Sequence, residues 1–106
     1  MAKYLVEASY TSEGVKGLIK DGGSKRRAAA EKAIKNAGGS IEAFYFAFGD
    51  RDALVIVEAP DHATVAAASL AINASGAVRT RTTVLLSPEE IDQATKKSVK
   101  YTAPGK

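Results

Sequence analysis

The segment from Ile41 to Ala59 constrains the fold of this chain more than any other segment does. It contains two runs, IEAFYFAF and ALVIVEA, that are rich in aromatic and aliphatic residues and are separated by GDRD. Such runs favour strands, and a junction of Gly and Asp favours a tight turn, because Gly tolerates positive φ and Asp bonds neighbouring amides. Pro60 ends the second run, since proline cannot donate a hydrogen bond to a sheet. The segment therefore predicts an antiparallel hairpin of residues 41–48 and 53–59.

Periodicity predicts further elements on both sides of this hairpin. They are a strand at residues 3–10, a glycine-interrupted helix or turn at 11–23, a helix at 25–37 capped by Ser24, a helix capped by Asp61 that runs to about Ala74, and a strand at 78–86. The order β-α-β-β-α-β is that of a ferredoxin-like α+β domain, in which two helices cover one face of a four-stranded antiparallel sheet.

An extra helix is predicted after this domain. The sequence SPEE places Ser87 as the N-cap, Pro88 at the first helical position and Glu90 where it completes a capping box. We therefore divide the chain into a domain of residues 1–87 and a C-terminal helix and tail of residues 88–106. The final residues, YTAPGK, are expected to fray or to be held only by a partner.

Composition excludes several kinds of site. The chain has no cysteine and one histidine, His62. Disulfides, thiolate metal sites, a cysteine nucleophile and a histidine cluster within one chain are therefore excluded, and we expect no metal and no redox cofactor. His62 follows a helix cap, where a solvent-facing structural role is favoured over catalysis.

Partners and location are constrained less tightly. The N-terminus alternates polar and apolar residues instead of forming an apolar signal segment, and no run approaches the roughly 20 apolar residues that cross a bilayer. A cytoplasmic protein without a membrane partner is expected. The net charge of +3 makes nucleic acid worth testing. It ranks last as a partner, because the third strand, ALVIVEA, has no aromatic residue on which bases could stack.

Apolar side chains occupy both faces of the predicted hairpin. Depending on register, the exposed set is Phe44, Phe46 and Phe48, or Tyr45, Leu54 and Ile56. Monomers rarely expose such a patch, so we expect a second subunit to cover it, the alternative being the C-terminal helix. The segment from His62 to Val78 has no charged residue, which is unusual for the outer face of a surface helix. Either the region of Ile91 and Ala94 or another subunit covers this face, or the face is a neutral exposed surface.

Candidate binding residues lie on the first and last strands. Glu7, Arg79 and Arg81 are expected at one end of the sheet, because antiparallel pairing brings the end of strand one beside the start of strand four. They could form an arginine-lined anion site at a subunit junction, or they could pair only with one another and with Glu58. The basic stretch GGSKRR at a helix start is a second possible anion site, or a solvated turn.

Four segments carry a resemblance to a known family: TSEGVKGL, KRRAAAEKAIKNAGG, FGDRDALVIVEAPD and GAVRTRT. Over roughly residues 3–86 the chain resembles the GYD-domain family, small bacterial proteins of unassigned function. The family is named for Gly-Tyr-Asp at the hairpin. Here Gly49 and Asp52 flank Asp50 and Arg51, and there is no tyrosine. Arg51 is therefore a secondary candidate for ligand binding.

The resemblance also implies an assembly and a function. The family is similar to dimeric α+β barrels, in which two ferredoxin-like sheets pack face to face, and its hairpin is similar to that of the amino-acid-sensing domain of leucine-responsive regulators. We therefore expect a homodimer or higher oligomer that binds a small anionic metabolite or serves in assembly, without enzymatic activity. The alternative is a cofactor-independent monooxygenase or isomerase that uses tyrosines and arginines in a pocket between sheet and helices.

Overall fold

The computed structural model describes every residue from Met1 to Lys106. The strands are β1 (Ala2–Tyr10), β2 (Ser40–Phe46), β3 (Ala53–Ala59) and β4 (Val78–Leu85), and the helices are α1 (Ser12–Asp21), α2 (Gly23–Ala37), α3 (His62–Ala74) and α4 (Pro88–Thr95). The strands form one antiparallel sheet in the order β2-β3-β1-β4. The predicted α+β, ferredoxin-like fold is confirmed.

The hairpin register decides which apolar side chains face outward. Phe44 lies opposite Val55, and both belong to the core beneath α2 and α3. Tyr45 lies opposite Leu54, one residue along each strand, and therefore points to the other side of the sheet. A register shift between Ile41 and Ala43 precedes this pairing. Of the two apolar sets that the sequence left open, the one containing Tyr45, Leu54 and Ile56 faces away from the helices.

The core between sheet and helices is small. Eleven of the 106 residues are buried, and the largest fully buried side chains are Tyr4 and Val57. Alanine supplies much of the inner surface of α2 and α3, and the sheet is covered on one side only. Few large side chains are therefore enclosed.

The helix starts follow the sequence prediction in two cases of three. Asp61 caps α3 by accepting the Thr64 amide at 2.8 Å, and Ser87 and Glu90 form the predicted capping box of α4. The prediction that Ser24 caps α2 is wrong. This helix begins at Gly23, two residues before the predicted start, and is preceded by Gly22, at φ 82°, without a side-chain cap. Because α1 ends at Asp21, Gly22 alone separates the two helices.

The C-terminal segment projects from the domain. No residue of α4 is buried. The radius of gyration is 17.0 Å, compared with about 13 Å for a compact chain of about 100 residues. The alternative in which the C-terminal helix covers the outer face of the sheet is therefore wrong, and the region of Ile91 and Ala94 does not cover α3 either.

Candidate functional site

The face of the sheet opposite the helices has an apolar centre. We call Leu5, Tyr45, Leu54 and Ile56 the outer strip. Leu5 lies opposite Ile56, and Leu54 lies opposite Tyr45, so the four side chains share one face of three neighbouring strands. Tyr45 is 70% exposed, the other three residues of the strip are partly exposed, and helices α2 and α3 pack on the opposite face of the sheet.

Charged residues bound the outer strip at both ends. At one end Lys3 Nζ lies 2.8 Å from Glu42 Oε1 and 3.7 Å from Glu58 Oε1. The hydrogen bond and charge of Glu42 raise the pKa of Lys3 above its ordinary value of 10.5. This end therefore carries two carboxylates and one ammonium group, and we call it the acidic end.

The opposite end holds all four candidate residues and is called the basic end. Arg81 lies opposite Glu7, and Arg79 lies opposite Ser9, two residues further along β1. Arg51, in the hairpin loop, places its Nε 3.9 Å from Glu7 Oε2. The predicted proximity of Glu7, Arg79 and Arg81 is therefore present, and Arg51 joins them. Their role in ligand binding stays a prediction.

The arginines of the basic end differ in their pairing. Arg51 and Glu7 are both partly buried and pair with each other. Arg79 and Arg81 are exposed, and neither has a carboxylate oxygen within 4.0 Å. The predicted alternative was that these two arginines pair with Glu7 and Glu58. Neither ion pair forms within the single chain. Their guanidinium groups are free to bind an anion or a partner.

The hairpin loop is anchored by Asp52. Its Oδ2 accepts a hydrogen bond from the Tyr10 amide at 2.7 Å, and its own amide donates to the Ala8 carbonyl at 2.9 Å. These bonds fasten the loop to the end of β1 and hold Arg51 near Glu7. Sequence reasoning assigned Asp52 to local turn bonds and missed this contact, since no local pattern indicates a partner 42 residues away.

Two of the three cations in the basic stretch at the start of α2 have an acidic neighbour. Lys25 Nζ lies 3.8 Å from Asp21 Oδ1, and Arg27 Nε lies 3.7 Å from Glu31 Oε1. Arg26, between them, is partly buried and has no carboxylate within 4.0 Å. It is therefore the one cation of this stretch that remains available for an anion.

An apolar cavity of about 130 Å³ lies between the sheet and helices α2 and α3, and we call it the inner cavity. Sixteen of its nineteen lining residues are hydrophobic, and the other three are Arg26, Ser69 and Thr80. Ala29, Ala30 and Ala33 of α2 and Ala68 of α3 form much of the helical wall. Side chains this small fill little of the space between the helices and the sheet, which explains why part of it is left open.

A second cavity of about 270 Å³ adjoins the inner cavity, and we call it the vestibule. The two share Tyr10, Arg26, Ile72 and Val78 in their linings. The vestibule also contains the carboxylate-bearing residue Glu13. The alanines of α2 and α3 that line the inner cavity are a signal that the sequence contained, but no cavity was predicted from them.

His62 has a structural contact. Its Nδ1 lies 2.6 Å from the hydroxyl oxygen of Tyr4, which is 1% exposed, and the two rings meet edge to face. His62 itself is exposed and lies outside both cavities. It satisfies the hydroxyl of a buried tyrosine, in agreement with the structural role that the sequence favoured.

None of the four helices combines the length and the apolar composition that a membrane crossing requires. Groups of three His, Asp or Glu side chains with an arrangement suited to a metal ion are also not found. The expectation that the protein has no metal or redox cofactor stays a prediction.

Comparison with known proteins places the chain in a family. Comparison with curated proteins finds no match. The family model of the GYD domain matches residues 4–95 of the 106 residues, which includes almost all of the four strands and all four helices. The chain therefore belongs to the GYD domain family.

Proposed function

We propose that this protein is a homo-oligomeric module that associates through the outer face of its sheet and holds a small anionic molecule at the basic end of that face. One observation carries the proposal. An apolar strip on the sheet face opposite the helices lies directly beside two arginines, Arg79 and Arg81, that have no acidic partner within the chain.

The outer strip supports association with a second copy. Apolar side chains in the middle of an open sheet face are unfavourable in water, and large exposed patches mark interaction sites. Two sheets stack about 10 Å apart when their inner side chains interdigitate. A second copy offers the same strip and can therefore cover it symmetrically.

The free arginines support an anionic ligand. Arg79 and Arg81 are two residues apart on β4, so their side chains leave the same face about 7 Å apart. A guanidinium group matches a carboxylate or a phosphate with two parallel hydrogen bonds. Partial burial beside a second subunit would strengthen such contacts, because the effective dielectric constant falls. Glu7 pairs with Arg51 and leaves the other two guanidinium groups free.

The acidic end offers a competing partner for these arginines. In one arrangement of two stacked sheets, the acidic end of each copy lies against the basic end of the other. Glu42 and Glu58 of one copy then approach Arg79 and Arg81 of the other. The arginines would then serve assembly alone. If like ends meet, four unpaired arginines converge, and an anion is needed to offset their repulsion.

A double substitution separates these roles. Arg79→Gln with Arg81→Gln is compared with Lys96→Gln with Lys97→Gln, which removes the same charge from an exposed site past the end of α4. Thermal shift with inorganic phosphate, acetate and citrate measures anion binding, and sedimentation equilibrium measures association. We expect the arginine variant alone to lose anion-dependent stabilisation, with a melting temperature in the absence of anion that is not lowered. A lowered melting temperature with full anion binding would mean that the arginines are structural.

A cofactor-independent monooxygenase or isomerase is the second candidate. The inner cavity favours it, since Tyr10 and Arg26 line a pocket between sheet and helices. The lining contains no carboxylate and no imidazole, the groups that most often transfer protons near neutral pH. Binding is therefore better supported than catalysis. The measurement is oxygen consumption in the presence of a phenolic substrate. Consumption by the wild-type protein that is abolished by the substitution Tyr10→Phe would favour the enzyme.

A further inference from the structure

We infer that the inner cavity and the vestibule form a binding site for a small aromatic monocarboxylic acid. Its ring lies in the inner cavity and its carboxylate is held by Arg26. This site is on the helical side of the sheet, and the proposed anion site is on the opposite side. The two proposals therefore stand or fall separately.

The inner cavity has the size and surface of a ligand chamber. Protein interiors are normally packed without voids larger than a water molecule. Here about 130 Å³ remains open, bounded mainly by alanine, valine, isoleucine and phenylalanine side chains. An apolar cavity of about 150 Å³ stays dry and takes up benzene in another protein. One six-membered ring is therefore the natural size of occupant.

The polar lining specifies one anionic group. Arg26 is the only charged residue in the lining of the inner cavity, and it lacks an acidic partner. The hydroxyl groups of Tyr10 and Ser69 have no hydrogen-bond partner within the chain, whereas the Thr80 hydroxyl already accepts from Asn73 at 2.8 Å. One cation and two free hydroxyls in an apolar chamber suit an apolar body with a single carboxylate.

The position of Arg26 orients this ligand. Because Arg26 and Tyr10 line both cavities, a carboxylate at their junction leaves the ring in the inner cavity. The vestibule contains Glu13, so a second carboxylate extending outward would meet a like charge. The site should therefore prefer a monoacid to a diacid. Ala29 and Ala33 line the inner cavity and are exposed, which gives a path for entry beside α2.

The first experiment measures binding to the full chain by isothermal titration calorimetry. The probes are phenylacetate, its neutral analogue 2-phenylethanol, and acetate, which lacks the ring. We expect saturable binding of phenylacetate and binding at least about tenfold weaker for each of the other two probes, because each lacks one of the two contacts. Absence of saturable phenylacetate binding would overturn the inference.

The second experiment locates the site with matched variants. Arg26→Gln should weaken phenylacetate about tenfold or more and leave 2-phenylethanol unchanged, whereas Arg27→Gln, at the neighbouring ion-paired position, should alter neither. Ala30→Leu should fill the inner cavity and abolish binding, with Ala28→Leu, exposed on the same helix, as its control. Equal effects of the two arginine substitutions would refute the role of Arg26.

Two further measurements keep the test decisive. If Ala30→Leu does not fold, methyl NMR of Val55 and Val78 replaces it, since both valines line the inner cavity and their signals should shift with phenylacetate. Unshifted methyl signals would overturn the location. The variant Arg79→Gln with Arg81→Gln should bind phenylacetate at full affinity. Loss of binding in that variant would assign the carboxylate to the outer face and refute the inner site.

Discussion

At the scale of single residues, Gly14 and Gly17 of α1 occupy one helix but different surroundings. A Cβ on Gly14 would lie 2.0 Å from the Ala77 carbonyl oxygen, which also accepts the Thr11 amide, whereas a Cβ on Gly17 would meet nothing within 4 Å. Gly14→Ala should therefore destabilise the fold by about 2 kcal/mol or more. Gly17→Ala should stabilise it by about 0.5–1 kcal/mol, because alanine favours helix. Urea unfolding measures both, and changes of the same sign would contradict this account.

The buried hydroxyl of Tyr4 provides a second prediction at this scale. Tyr4→Phe removes its hydrogen bond to His62 and preserves the ring in the core. We expect a loss of about 1 kcal/mol in the free energy of unfolding, since the exposed imidazole can turn to water. Tyr101→Phe is the control, because that hydroxyl has no partner within the chain and the residue is exposed. Thermal unfolding at pH 7 compares the two, and equal losses would mean that the hydrogen bond contributes nothing.

Which site residues could be predicted depended on the range of their contacts. The proximity of Glu7, Arg79 and Arg81 followed from strand order, because antiparallel pairing of the first and last strands fixes which ends meet. The contact that Asp52 makes and the position of Arg26 in the lining of both cavities were not predicted from the sequence. The bond of Asp52 to Tyr10 and the position of Arg26 at two cavities depend on tertiary packing, which leaves no local pattern in the sequence.

At the scale of elements, capping chemistry predicted a helix start where a loop precedes the helix. Asp61 and Ser87 both follow non-helical residues, and both accept the expected amide. Ser24 failed because α2 follows α1 after the single residue Gly22. Because only Gly22, at a positive φ, separates the two helices, the second helix begins before the serine, and its first amides have no side-chain cap.

The cap of α3 makes stability depend on pH. Hydrogen bonds from the Thr64 hydroxyl and amide lower the pKa of Asp61 below its ordinary value of 3.8. Because the folded pKa is the lower one, Asp61 stabilises the fold above pH 3.8, and this contribution is lost as pH falls through the folded pKa. Asp61→Asn should retain a cap and reduce the pH dependence in this range. Chemical unfolding from about pH 2 to 6 tests it, with Asp50→Asn, in the exposed loop, as the control. An unchanged pH profile in Asp61→Asn would exclude this linkage.

At the scale of the whole molecule, the fold was predictable and the outward face was not. The order of elements and their periodicity fixed the sheet and the covering helices. The outward set of side chains depended on the irregular pairing between Ile41 and Ala43 and on a loop held by Asp52. A shift of one residue would exchange Phe44 and Tyr45, so periodicity alone could not choose between them.

The resolved register makes the proposed association testable. Tyr45→Glu places a charge on the outer strip and should dissociate the protein without unfolding it, because the side chain is exposed in the single chain. Phe46→Glu should instead reduce stability, since Phe46 packs against Gly23 on the helical side, and Phe48→Glu, exposed beyond the end of β2, is the neutral control. Sedimentation equilibrium near micromolar concentration should give at least about twice 11.1 kDa for wild type and 11.1 kDa for Tyr45→Glu. A wild-type protein that remains at 11.1 kDa across that range would refute association through this face.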